Sequence, residues 1–248
     1  MHSGIHVSLT AEKLFYLFGN FWVTNSLLTS WIVIFFLVIL SLLVTRNISI
    51  VPGYFQSIAE IVVEGIWNLF STILNERINT FFPLVATYFI YIISLNWVGL
   101  LPGVGTIMIE KIEEGHKLFI PLFRSGTADL NTTLGLALIA VIVVQFTGFK
   151  TLGVTYLKKF INFSNPILFF VGILELISEF TKVISFAFRL FGNIFAGEVL
   201  LTVIAFLMPL LVPVPFLGLE LFVGFIQALI FSMLTSVFIA LATTKSEH

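Results

Sequence analysis

PILFFVGILELISEFTKVISFAFRLFGNIFAGEVLLTVIAFLMP, residues 166–209, stays apolar for more than 40 residues with no proline between its ends. As one α-helix it would be roughly 60 Å long, about twice the hydrocarbon thickness of a bilayer. A hairpin would also accommodate that length. No turn signal stands near its middle except Gly192 and Gly197, so it reads as one long helix at a steep tilt with both ends near the interfaces. Five charged residues interrupt it: Glu175, Glu179, Lys182, Arg189 and Glu198. A guanidinium stays protonated at biological pH, and at the centre of a membrane helix it costs roughly 2.5–3.5 kcal/mol on insertion scales. The earlier apolar runs, near 27–45, 82–101 and 130–149, contain no charged residue. Ionisable groups gathered in one run mark an ion path rather than a requirement of the fold.

The totals agree with a lipid solvent. The chain is 58% hydrophobic and 10% charged, with 29 Phe in 248 residues and a mean hydropathy of +1.11. A soluble chain of this length could not bury so much apolar surface. A net charge of −1 and a pI near 6.4 give no basic field for nucleic acid. There is no cysteine, which removes disulfides and thiol chemistry. His2, His6, His116 and His248 all lie outside the apolar runs, so no histidine metal site is expected in the membrane. No basic flank leads into an apolar core in the first 25 residues, so no signal peptide is expected.

The expected fold class is all-α: one polytopic membrane domain over 1–248, with five crossing helices, a surface amphipathic helix, and the last two helices long and strongly tilted. Residues 1–26 form an outer lead-in, and the first span covers 27–45, anchored by Trp22, Trp31 and Arg46. Over 54–78, Ile58, Ile61, Val62, Gly65, Ile66, Leu69 and Phe70 recur at helical spacing between polar residues, predicting a helix that lies on the membrane surface. A two-span hairpin occupies 82–149, with spans at 82–101 and 130–149. Between them, 104–124 carries the charged cluster EKIEEGHK and reads as a solvent-exposed loop. Pro209, Pro213 and Pro215 end the long helix, and a final helix covers 216–243. With five crossings, six Lys and Arg fall on the side of the C-terminus and four on the other, which places the C-terminus in the cytoplasm.

Within 166–209, Glu175, Lys182, Ser185, Arg189, Asn193 and Ala196 share one helical stripe. Gly192 and Ala196 leave a shallow surface beside Arg189 where another helix can come close. Glu198 lies nine residues on, roughly 13 Å along the axis and on another face. In the final helix Glu220 and Gln227 are seven apart, on one face, and would meet the long helix if the two pack antiparallel. Arg189 bonded to Glu175 or Glu179 would be a plain structural ion pair, and Glu179 with Lys182 reads as such a pair. Glu198 and Glu220 have no opposite charge near them along the chain, so each should line water or carry a proton. Gln227 serves equally as a helix–helix hydrogen bond, and Asp129, the only aspartate, as a helix N-cap before Asn131. HExxH, GxSxG and the P-loop are absent, an aspartic dyad needs a second aspartate, and a voltage sensor needs repeated arginines.

RLFGNIFAGE (189–198), followed by FIQALIFSMLTSVFIA (225–240), resembles the a subunit of the F-type ATP synthase, and NWVGLLPG (96–103) and TADLNTTLGLAL (127–138) are similar to that family's other signatures. The resemblance runs from about residue 51 to the end. It implies the stator of a rotary proton motor, whose two offset aqueous half-channels face a ring of c subunits that each carry one buried carboxylate. Arg189 matches the essential arginine, Asn193 the asparagine of the same motif, Glu198 the channel acid, Glu220 a second ionisable position and Gln227 the glutamine facing the arginine. Asp129 and Asn131 match a polar channel entrance on the outer side. The implied partners are the c-ring, the b-subunit peripheral stalk and the lipid bilayer. No cofactor, metal or bound nucleotide is implied, and a bacterial plasma membrane is the expected location. A self-contained ion-coupled transporter using Glu198 and Glu220 is the alternative, and an assembly scaffold a third.

Overall fold

In the computed structural model, residues 10–17, 21–46, 48–101, 103–105, 107–113, 116–157, 159–160, 165–208 and 211–244 are described. Residues 1–9 and 18–20 of the lead-in, Pro209, and Lys158 and Lys245 of the charge count lie outside them, as do His2, His6 and His248. Helix α1 (Asn25–Thr45) starts where Thr24 Oγ1 accepts from the Leu27 N–H at 3.3 Å. Helix α2 (Tyr54–Leu74) stops at Asn75, whose φ of 46° is a left-handed value that asparagine tolerates. A 3₁₀ turn (Asn75–Arg77) then leads into α3 (Ile78–Val98). Helix α4 (Leu130–Leu152) ends at Gly153, φ 58°, and a short α5 (Val154–Leu157) forms an elbow.

Helix α6 (Pro166–Leu207) is one continuous helix of 42 residues, as the unbroken run requires. Its start is written in the sequence: Asn165 Oδ1 accepts from the Ile167 N–H at 3.2 Å, and Pro166 occupies the first turn, where its missing N–H costs nothing. Helix α7 (Pro213–Thr243) begins three residues earlier than expected, because Pro213 and Pro215 both fit within a first turn.

Two corrections concern the connections. The segment read as a loop at 104–124 holds an antiparallel hairpin, β3 (Met108–Glu113) with β4 (His116–Pro121), in register from Met108–Pro121 to Glu113–His116. The lead-in likewise holds a small hairpin, β1 (Lys13–Leu17) with β2 (Phe21–Thr24). Neither changes the class: among the described residues the long elements are all helical, and five segments, with α2 and α3 counted as one, are long and apolar enough to cross a membrane.

Helix α7 is central, packed against α3, α4, α6 and α2. Val85, Ile92 and Leu190 are fully buried in one core with Ile239 of α7. Outside this core the helices are greasy: Phe35, Leu43, Phe146 and Phe180 each expose 66–68% of their surface, which only a lipid solvent makes stable. The chain is a multi-pass membrane protein.

Candidate ion path

Contacts between α6 and α7 run down one helix as they run up the other. Gly197 meets Glu220, Arg189 and Gln227 line one shallow hollow, Phe186 packs on Phe231 and Phe238, and Lys182 lies over the Phe238 ring at 4.7 Å. The two long helices are therefore antiparallel, the arrangement under which Glu220 and Gln227 reach the arginine helix. Phe186, Leu190, Ile230 and Phe231 complete the hollow around Arg189 and Gln227.

Arg189 itself is exposed, and so are Ser185, Asn193 and Ala196 of its stripe. Its Nη2 donates to Ser185 Oγ at 3.3 Å, one turn back, and among the described residues it has no acid partner. Gly192, beside it, has nothing within 4 Å of the place a Cβ would take. The plain ion pair with Glu175 or Glu179 is thus not formed: Glu175 binds Lys159 at 2.7 Å and Glu179 binds Lys182 at 2.7 Å. An unpaired guanidinium on an open, small-residue face of a membrane helix is unstable unless something acidic or aqueous meets it there.

Toward the hairpin end, a polar cluster fills the space between α1, α3, α6 and α7. Glu198, nine residues past Arg189, accepts from Arg124 Nε at 3.0 Å. The carboxyl of Glu220 occupies the space where Gly197 has no side chain, and its Oε1 is buried with no hydrogen-bond partner among the described residues. A buried carboxyl oxygen in that position calls for a water or a proton. Asp129 caps α4, accepting from the Asn131 N–H at 3.0 Å, and its other oxygen accepts from Ser26 Oγ at 2.9 Å. The N-cap reading of Asp129 holds, while Asn131 is exposed and donates its amide back to Asp129 at 3.2 Å. Asn96 donates to the Gly224 carbonyl at 2.8 Å and accepts from Thr127 Oγ1 at 2.6 Å, pinning α3 to α7.

Toward the elbow end lies a second polar cluster. Glu179 accepts from Gln145 Nε2 at 2.7 Å, and Gln145 accepts from the Tyr156 hydroxyl at 2.8 Å. Tyr156 lies outside the spanning helices. Burial, with the charges of Glu179 and Glu175 behind it, pushes its hydroxyl up to about 12, so it is a donor at any ordinary pH. Sequence reading missed Arg124, Gln145, Tyr156 and Ser26. Gln145 had a signal, an amide deep inside an apolar span. Arg124 had none, since its partner is 74 residues away.

Comparison with known proteins places this arrangement. Over 213 residues, 85% of this chain, it is 34% identical to "ATP synthase subunit a" of Geotalea daltonii, of which 83% is covered. Over the same length and coverage it is 35% identical to "ATP synthase subunit a 3" of Pelobacter propionicus. Residues 27–240 match the family described as ATP synthase A chain, and this chain belongs to that family.

Proposed function

We propose that the chain is the proton-conducting stator subunit of an F-type ATP synthase, working against a ring of c subunits and held by a b-subunit stalk. The observation that carries the reading is Arg189, exposed on a small-residue face without an acid partner among the described residues, with a polar cluster on each side of it along α6. Glu198 lies roughly 13 Å from it in one direction and Glu179 roughly 15 Å in the other, at 1.5 Å per residue. Two separated polar clusters are what two offset half-channels need, and the hairpin end would be the outer one, with the C-terminus in the cytoplasm.

A rotor carboxylate that passes the fixed guanidinium is held in its ionised form by the opposite charge. It therefore gives up its proton to one half-channel before it reaches Arg189 and takes a new one from the other side. Protons must go round the ring rather than straight through. Glu198 and Glu220 relay them at the outer side, while Gln227 and Asn193 hold the face around the arginine. Each charge crossing is worth about 2.3 kcal/mol per 100 mV, so several crossings are needed for each ATP made elsewhere in the complex.

Arg189→Ala tests this in membrane vesicles holding the whole complex. Proton-driven ATP synthesis falls to background while the chain remains in the membrane in normal amount; coupled synthesis at the normal rate would refute the role.

A further inference from the structure

The Arg124–Glu198 pair joins elements that the proposed function leaves unrelated. Arg124 belongs to the connection after β4, outside the helices, yet its side chain is only 5% exposed against 36% for Glu198. Three groups besides Glu198 fix it. Its Nη1 donates to the Thr10 carbonyl at 3.2 Å, its backbone N–H donates to Thr29 Oγ1 at 3.3 Å, and its guanidinium lies over the Phe195 ring at 5.7 Å. Phe195 is in turn stacked on Phe191, two residues past Arg189 in the chain. The lead-in, α1 and α6 thus converge on one immobile cation. Glu198, by contrast, is held through a single oxygen and is partly open. A fixed guanidinium that grips one oxygen of a mobile acid sets where that acid points.

We infer that Arg124 is the positioning residue for Glu198, aiming its carboxylate at the polar cluster of the hairpin end and away from Arg189. This rests on the stator reading above. The other charged groups near this pair on the elements packed there are Glu12 and Lys13 of the lead-in, Glu220 of α7, Asp129 beside the 126–128 turn, and Arg189 on α6 itself. Two arginines then bracket Glu198, and only the first holds it. Glu198 stays within reach of protons arriving from the hairpin side and does not bond to Arg189, which would close the open face to the ring. Positioning of this kind governs how efficiently outer protons are captured rather than how fast the motor turns once they are plentiful.

The experiment uses vesicles holding the whole complex, with a constant imposed potential and a varied outer proton concentration. Arg124→Gln raises the outer proton concentration that gives half-maximal ATP synthesis about tenfold, while the rate at saturation stays within about twofold of normal. Arg124→Lys, which keeps the charge but not the fork, gives a smaller rise of about threefold. A purely structural brace would do the opposite, lowering the saturating rate in step with the amount of assembled complex and leaving half-saturation unmoved; that result overturns the inference. If Arg124→Gln fails to accumulate, the lysine variant decides, and an unshifted curve at normal assembly overturns it equally. Arg189→Ala in the same series separates the two readings. Normal synthesis there sinks the stator role itself, whereas a dead Arg189→Ala beside an unshifted Arg124 curve sinks only the positioning role.

Discussion

Gly197 shows how much a missing side chain can decide. A Cβ at that position would fall on the Glu220 carboxyl, which is otherwise buried against α6. Gly197→Ala should therefore push Glu220 out of place and cut proton-driven synthesis at least tenfold with the chain still assembled. Glu220→Asp in the same chain, shorter by one methylene, should restore part of the rate, as measured in vesicles. At this scale the sequence was legible where partners are near neighbours. Glu179 and Lys182, three apart, pair as their spacing indicates, and Asp129 caps α4 as its place before Asn131 indicates. It was opaque for Arg124 and Glu198, because their distance in the chain is closed only by the packing of the 126–128 turn on α6.

The elbow between α4 and α6 depends on two further close approaches. The Tyr156 ring occupies the gap left by Gly148 on α4, and the Phe160 carbonyl lies against Gly172 on α6. A backbone carbonyl cannot swing aside as a side chain can, so Gly172→Ala should destabilise the chain by about 1–3 kcal/mol. Gly192→Ala meets nothing within 4 Å and should stabilise the isolated chain by up to about 1 kcal/mol, yet it should slow coupled synthesis by narrowing the face beside Arg189. Thermal unfolding in detergent and synthesis in vesicles read the two effects separately. Tyr156→Phe removes the bond to Gln145 and should cost about 1 kcal/mol. Because burial raises the Tyr156 hydroxyl to about 12, its contribution is complete below the ordinary tyrosine value near 10 and is lost between pH 10 and 12. A melting curve that drops across that window in the parent but not in Tyr156→Phe checks the sign. The long helix was legible because proline is absent from its interior. The 108–121 hairpin was not, since Glu110, Lys111 and Glu113 give its strands no clean alternation of apolar and polar residues.

For the molecule as a whole, the stator and transporter readings part on isolation. Purified alone into liposomes, the chain should carry no measurable proton current under an imposed potential, because its arginine face lacks the carboxylates that would traverse it; a robust current would favour the self-contained transporter. Class, helix order and the antiparallel option for the last two helices could be read from apolar runs and prolines. What could not be read was which helix sits in the middle, because α7 has almost the same polarity on every side and owes its place to partners on α3, α4 and α6. Those partners also hold it lengthwise. Near one end Asn96 and Trp97 donate to the carbonyls of Gly224 and Leu221, and near the other Arg77 donates to that of Thr243, at 2.8, 3.1 and 3.0 Å. A helix pinned to its neighbour at both extremities resists axial shear. Under the stator role proposed above, drag from a turning cylinder on α6 would pass through α7 into α3 and the turn before it as tension on those three bonds, which would make them the anchor bolts of the bearing.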